Sequence, residues 1–456
     1  FKITKDLKVP DTKVPNKPRC AKCDKKVKKK KLKVCSKCKN QYYCGEECQK
    51  NDWTEHKLNC KTPEEQYLEV DAEIAKQVAD QNKGLRVKEQ IEEYSIPVAE
   101  QFNGTYEIGE CHVYEASVDR LTSAELREKE LSENWQERYN EARYGAEVHR
   151  QARKYLRSTI KPGQKLIDIC ERVENKVAEL MGSERSGTNV KIGTSFPTGI
   201  SVNSCAAHFT PLPGDNKVLK KGDIFSIDFG THQNGRIIDS AFTMAFEDHF
   251  DPLIEASKAA TEEGVRMAGI DVRLCDIGAA IHEVMESYEV TINGKTLPVK
   301  VIQNLSGHSI EPYKIHAGKS VSCVRTYDTT RMEENEFYAI ETFGSTGAGW
   351  IEEEGDCSHF MVAYDNPNPK MPRSNACRKL LKSIKENFGT LAFCQRYMEN
   401  AGMKDYEKAL KLLVKDGVIT DYPPLVDTKG SYTSQFEHSI VLRPSCKEIL
   451  TRSDDY

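Results

Sequence analysis

No apolar run in these 456 residues approaches the ~20 residues needed to cross a bilayer. No charged, apolar and small-residue succession near the start reads as a secretory leader. The body also lacks paired cysteines: Cys111, Cys170, Cys205, Cys275, Cys323, Cys357, Cys377, Cys394 and Cys446 are scattered, mostly among apolar neighbours. That excludes a disulfide framework and reads as the reduced thiols of a cytoplasmic protein without membrane contact. Acidic residues are nearly missing from the first 39 positions. Only Asp6, Asp11 and Asp24 stand against sixteen Lys/Arg, so this head carries +13 and the remainder −17 of a net charge of −4. Apolar residues are modest at 38%, but the deficit sits in the first hundred positions, leaving the body ample for a large core. At ~150 residues per domain the length suggests two or three domains. The chain opens on Phe1 rather than Met, which leaves room for an upstream segment.

A cationic head on an acidic body suggests contact with a polyanion, RNA above all; the bland alternative is a solvated lysine run. Residues 1–19, rich in Lys and Pro, read as a basic disordered arm. Then follow Cys20-Ala-Lys-Cys23, Cys35-Ser-Lys-Cys38, Tyr43-Cys44-Gly-Glu-Glu-Cys48 and His56-Lys-Leu-Asn-Cys60. Four pairs at this spacing supply eight ligands for two tetrahedral Zn²⁺ ions. The stretch 20–60 resembles a MYND zinc finger, including the Trp53 helix leading to His56. The resemblance implies interleaved ligation, with Cys20, Cys23, Cys44 and Cys48 on one zinc and Cys35, Cys38, His56 and Cys60 on the other. With no open position both ions are structural, so the finger's role is binding.

Residues 61–95 read as an acidic helical linker, with Tyr67, Val70, Ile74 and Val78 at helical spacing, a break near Gly84 and a flexible stretch to Pro97. Further helices are predicted over 121–156, with Thr122 or Ser123 as N-cap, and over 166–181, 253–267, 272–288 and 378–420. Strands are predicted at 299–305, 337–343 and 432–442. Alternation of helices with mostly antiparallel strands indicates an α+β or mixed sheet. Phe225–Phe246 reads as a hairpin on Asn234-Gly235. Each of its strands places one carboxylate, Asp228 or Asp239, among apolar residues, which is costly unless a partner or metal compensates. His308, Glu341 and Glu437 sit in similar contexts, and His208 and His316 in apolar or glycine-rich ones. Taken singly each reads more readily as a satisfied core group. Together, carboxylates and one imidazole without thiolates suit two ions such as Mn²⁺, Fe²⁺ or Co²⁺.

On these residues a closer resemblance emerges. FPTGISVNSCAAHFTP, DFGTHQNGRIID, NLSGHSIEPYKIHAG, RMEENEFYAIETFGSTG, ENFGTLAFC and GSYTSQFEHSIVLRP make residues 96–456 similar to a type 2 methionine aminopeptidase. The resemblance implies the pita-bread fold with a helical insertion, supplied here by residues about 367–424. It implies Asp228 on one active-site metal (Mn, Co, Fe or Zn), His308 and Glu341 on the other, and Asp239 and Glu437 bridging. His208 would sit beside the scissile bond, at the position fumagillin-type epoxides alkylate, and His316 would orient the substrate carbonyl. Phe196, Ile315, His359 and Tyr422 would line the methionine pocket. The expected reaction is attack of a metal-bridging hydroxide on the first peptide bond of nascent chains that begin with Met and a small second residue. Glu341 or Glu437 would shuttle the proton. The expected state is a monomer. Glu311-Pro312 departs from the family, as does the finger itself, since zinc-binding N-terminal domains are a type 1 habit. Two other readings share the fold: a non-catalytic ribosome- or RNA-binding regulator, and a prolidase-like X-Pro peptidase. The finger is expected to dock on ribosomal RNA or on a proline-rich protein partner.

Overall fold

The computed structural model describes residues 18–28, 32–114, 133–184, 186–364, 366, 372 and 374–456. Most of the basic arm, Lys29–Lys31, and 121–132 of the expected helix with its caps lie outside them.

In the finger, β1 (Lys33–Val34) pairs with β2 (Tyr42–Tyr43), and α1 (Glu46–His56) follows. The acidic stretch forms α2 (Pro63–Asn82), opened by a capping box between Thr62 and Glu65. Its Val70, Ile74 and Val78 are buried against Val113 and Cys446 of the body. The segment after it is no loose tether. Arg86 pairs with Glu147 at 2.9 Å, Gln90 with Gln151 at 2.8 Å, and Lys176 Nζ donates to Glu93 O at 2.8 Å.

The body begins with β3 (Glu110–His112), then α3 (Glu133–Thr159) and α4 (Leu166–Met181). In α4 the apolar stripe Leu166, Ile169, Cys170, Val173, Val177 and Leu180 is buried, and Gly182 closes the helix at φ 63°. Short strands β4 (Ile192–Thr194), β5 (Gly199–Val202) and β6 (Cys205–Ala207) lead to the hairpin of β7 (Ile224–Gln233) and β8 (Arg236–Ala245). β7 pairs with β4, β5 and β8. The turn is only Asn234-Gly235, both at positive φ (52° and 77°), so β7 runs on to Gln233 and pairs with β8 along its whole length.

Helices α5 (Asp251–Met267) and α6 (Leu274–Met285) precede β9 (Ser306–Ile310) and β10 (Phe337–Ser345). The expected strand at 299–305 shrinks to Lys300–Val301, and His308 lies inside a strand rather than after one. Gly307 permits this, because a Cβ there would meet Ala339 O at 2.4 Å. The helical expectation over 378–420 also needs correction. Between β11 (His359–Val362) and the chain's end it yields α7 (Asn375–Phe388), β12 (Phe393–Cys394), α8 (Gln395–Asn400), α9 (Glu407–Lys415) and β13 (Ile419–Asp421). Gly389 at φ 62° ends α7, and β12 and β13 flank β11 as a small sheet with its own apolar core. Strands β14 (Leu425–Val426), β15 (Thr433–Leu442) and β16 (Lys447–Ile449) complete the chain. Within the seven-stranded main sheet five strands run in the order β9-β10-β15-β16-β3, with Ser320–Ser322 beyond β9 and Lys300–Val301 also on β10, and every ladder between described strands is antiparallel. α5 and α6 cover this sheet, α3 and α4 the hairpin. Among the described residues no helix is long and apolar enough to cross a membrane.

Candidate active site and metal centres

Strand register decides where the five candidate ligands point. Gly230 lies opposite Asp239 and Asp228 opposite Ala241. Residues two apart share a strand face, so both Asp side chains project together. Glu341 lies directly opposite Glu437, and His308 opposite Ala339, two residues before Glu341. The two sheets are stitched where β8 meets β15. Ser439 Oγ accepts from Asp239 N and donates to Asp239 O, each at 2.8 Å, and Ser240 Oγ donates to Glu437 O at 2.6 Å. All five side chains therefore face one space.

Ligand atoms of Asp239, His308 and Glu437 lie within 4.8 Å of one another. His308 Nε2 is 3.6 Å from Asp239 Oδ2 and 3.7 Å from Glu341 Oε1. Gln435, which sequence reasoning missed, donates to Asp228 Oδ2 at 3.1 Å and to Glu341 Oε2 at 3.2 Å. Burial pushes the Asp228 carboxyl up to about 6. Burial, reinforced by neighbouring carboxylates, drives Asp239, Glu341 and Glu437 well above their usual range. Burial drives His308 well below its own, keeping the imidazole neutral. Asp228 Oδ1, Asp239 Oδ1 and both Glu437 oxygens are buried without a hydrogen-bond partner among the described residues. Such oxygens are costly unless cations meet them, and hard carboxylates with one imidazole fit divalent metals.

Asp228, Asp239, His308 and Glu341 line a cavity of about 230 Å³ together with all the other expected site residues: Phe196, His208, Ile315, His316, His359 and Tyr422. Glu437 is buried, only 1% exposed, and is not part of that lining. The His208 ring stands edge-on to His359 at 5.7 Å and to Tyr422 at 5.5 Å. Burial and the nearby His316 lower the His208 pKa to about 4. His316 is exposed at the mouth, its ring 4.5 Å from that of His308. Ala207, Asn304, Ser306, Met361 and Ala392 also line the space and were not expected. Only the neighbours of expected residues, such as Ala207 beside His208, carried a sequence signal. Glu311 pairs with Lys314 at 3.1 Å, and neither it nor Pro312 lines the cavity.

The finger's ligand atoms gather in the interleaved sets: Cys20, Cys23, Cys44 and Cys48, and separately Cys35, Cys38, His56 and Cys60. Sulfur separations of 3.6 Å for Cys23–Cys44 and Cys35–Cys60 approach the ~3.8 Å edge of a zinc–thiolate tetrahedron. Burial opposes ionisation of Cys20 and Cys35, but hydrogen bonds outweigh it, chiefly from backbone N–H groups and at Cys35 also from His56, and bring both thiols to about 6.

Residues 140–366 match metallopeptidase family M24, and residues 20–60 match the MYND finger, which implies bound zinc. Methionine aminopeptidase 2A of Arabidopsis thaliana is 52% identical over 366 residues, covering 79% of this chain and 81% of that protein. The chain belongs to the type 2 methionine aminopeptidases. Methionine aminopeptidase 2 of Komagataella phaffii is 49% identical over 375 residues, 81% of this chain and 82% of the relative. A solved structure of a thermophilic Arx1 superposes with a TM-score of 0.58 at 17% identity, covering 70% of this chain and 92% of the other, a likeness of fold alone. This type 2 enzyme thus carries the pita-bread fold behind a MYND finger and is a metallo-aminopeptidase that removes N-terminal methionine.

Proposed function

We propose that the reaction runs at a dinuclear centre in which Asp228, Asp239, His308, Glu341 and Glu437 would hold two divalent metal ions. The observation that carries this is the set of buried oxygens of Asp228, Asp239 and Glu437 without hydrogen-bond partners among the described residues, where Asp228 and Asp239 line one cavity and Glu437 lies within 4.8 Å of Asp239 and His308. When bound, two divalent cations supply Lewis acidity and lower the pKa of a coordinated water toward neutrality. The residues do the rest. Phe196, Ile315, His359 and Tyr422 enclose the methionine side chain. His208, neutral at physiological pH, and His316 present N–H groups to the oxyanion that develops at the scissile carbonyl. Glu341 or Glu437 carries a proton to the leaving amine. A narrow space beyond the scissile bond restricts the second residue to small side chains, and the substrates are nascent chains. Release of methionine from Met-Ala-Ser with Mn²⁺ or Co²⁺ tests the reading. His208→Ala and Asp239→Asn should each abolish it; full activity in either would remove that residue from the mechanism.

The finger, residues 20–60, would recruit the enzyme to ribosomal RNA through its lysines in the cytoplasm, the +13 head being the supporting observation. Co-sedimentation with ribosomes should fall steeply with salt and should weaken in a Lys28–Lys31→Ala variant. Unchanged binding would favour a proline-rich protein partner instead.

A further inference from the structure

Glu174 and Arg396 lie outside the groups assigned above, 222 residues apart, yet each side chain is only 2% exposed. Glu174 belongs to α4 on the hairpin side; Arg396 lies in α8 of the insertion. Arg396 Nη1 and Nη2 donate to Glu174 Oε2 and Oε1 at 2.6 and 2.8 Å, a bidentate pair. The guanidinium also reaches the segment just after His208. Nη2 donates to Thr210 Oγ1 at 3.0 Å, and Nε to Pro211 O at 3.2 Å. One planar cation ties three segments together.

That segment requires fixing. His208 has φ 66°, an uncommon conformation for a residue other than glycine that persists only where its surroundings over-determine it. Directly after it, Phe209 O accepts from Ile200 N at 2.8 Å. Arg396 secures the next two residues. The same cation lies two positions beyond Cys394, the strand partner of His359, whose ring meets His208. It therefore braces both sides of the contact between His208 and the His359 wall of the cavity.

We propose that Arg396, held by Glu174, is a positioning residue that fixes the His208 imidazole for the reaction. The inference rests on His208 acting at the scissile bond. Three variants separate positioning from mere structural support. Thr210→Val removes the acceptor on the loop and spares the ion pair, Thr210→Ser retains an acceptor, and Glu174→Leu with Arg396→Met replaces the pair by apolar groups of similar volume. Each is measured, at equal metal content and folded fraction, for kcat and KM on Met-Ala-Ser. The rate at which a fumagillin-type epoxide alkylates His208 is followed by mass spectrometry. Thr210→Val and the double variant should lower kcat about ten- to a hundred-fold and slow alkylation in parallel, with KM nearly unchanged and Thr210→Ser close to wild type. Wild-type kcat and alkylation in Thr210→Val, or in a folded double variant, would overturn the assignment. Full activity in His208→Ala would instead overturn the underlying role of His208, and the assignment with it.

Discussion

Gly230 shows how closely backbone and side chains must fit beside the candidate ligands. A Cβ there would stand 2.1 Å from Ser195 Oγ, 2.5 Å from Phe196 Cε1 and 2.8 Å from Ile238 O. Phe196 lines the cavity, and Gly230 is the strand partner of Asp239. Gly230→Ala should therefore cost about 1–3 kcal/mol by overpacking and, by displacing Phe196, raise KM for methionyl peptides. Urea unfolding and steady-state kinetics on one preparation check both, and unchanged stability would mean that the strands part at no cost. Residues with their own chemistry were legible in the sequence: Asp228 and Asp239 stood out because a carboxylate in an apolar strand demands a partner. Gln435, Met361 and Ala392 were not, because a buried amide or an apolar side chain looks ordinary until register places it. Gln435 sits two residues before Glu437 and so shares its face, a relation that becomes informative only once the pairing with β10 is known.

Among elements, α2 marks where sequence pattern stops short. Its stripe of Val70, Ile74 and Val78 announced a buried face, but the surface it meets includes Cys446, more than 360 residues away, and no local periodicity names a partner at that distance. A polar clamp reinforces the docking. Asp71 Oδ1 accepts from Val113 N at 2.8 Å, and His112 lies between Asp71 at 2.8 Å and Glu110 at 2.6 Å. Burial would lower the His112 pKa, but the two carboxylates outweigh it and hold it at about 9. Because the folded value lies above the ordinary 6.5, the stabilisation is full below pH 6.5 and is lost as pH rises toward 9. Wild-type Tm should accordingly fall between pH 6.5 and 9, and Asp71→Asn should flatten that slope while lowering Tm at pH 6.5. An Asp71→Asn profile parallel to wild type would show that the clamp contributes nothing.

Across the whole molecule, two kinds of metal centre differ in how they should release their ions. The finger's apolar cluster is small, built on Val27, Tyr43 and the ligand cysteines, so metal must supply most of its folding free energy. It is also fastened to α2. Gln66 Nε2 donates to Cys38 O at 3.4 Å, Asn40 Nδ2 donates to Gln66 Oε1 at 2.6 Å, and Lys37 pairs with Glu65 at 3.5 Å. Its ligand sets are four-fold, closed and mainly thiolate. The candidate site instead offers hard oxygens around a space that substrate would have to enter. A carboxylate chelator at neutral pH should therefore abolish methionine release while zinc bound by residues 20–60 is retained, and Mn²⁺ or Co²⁺ should restore activity. A thiol-directed mercurial should do the reverse to the finger, exposing residues 20–60 to protease while the body keeps its thermal transition. Elemental analysis, limited proteolysis and the peptidase assay on the same samples decide the matter. Protease resistance of residues 20–60 after all zinc has gone would mean that packing on α2, rather than metal, holds the finger folded.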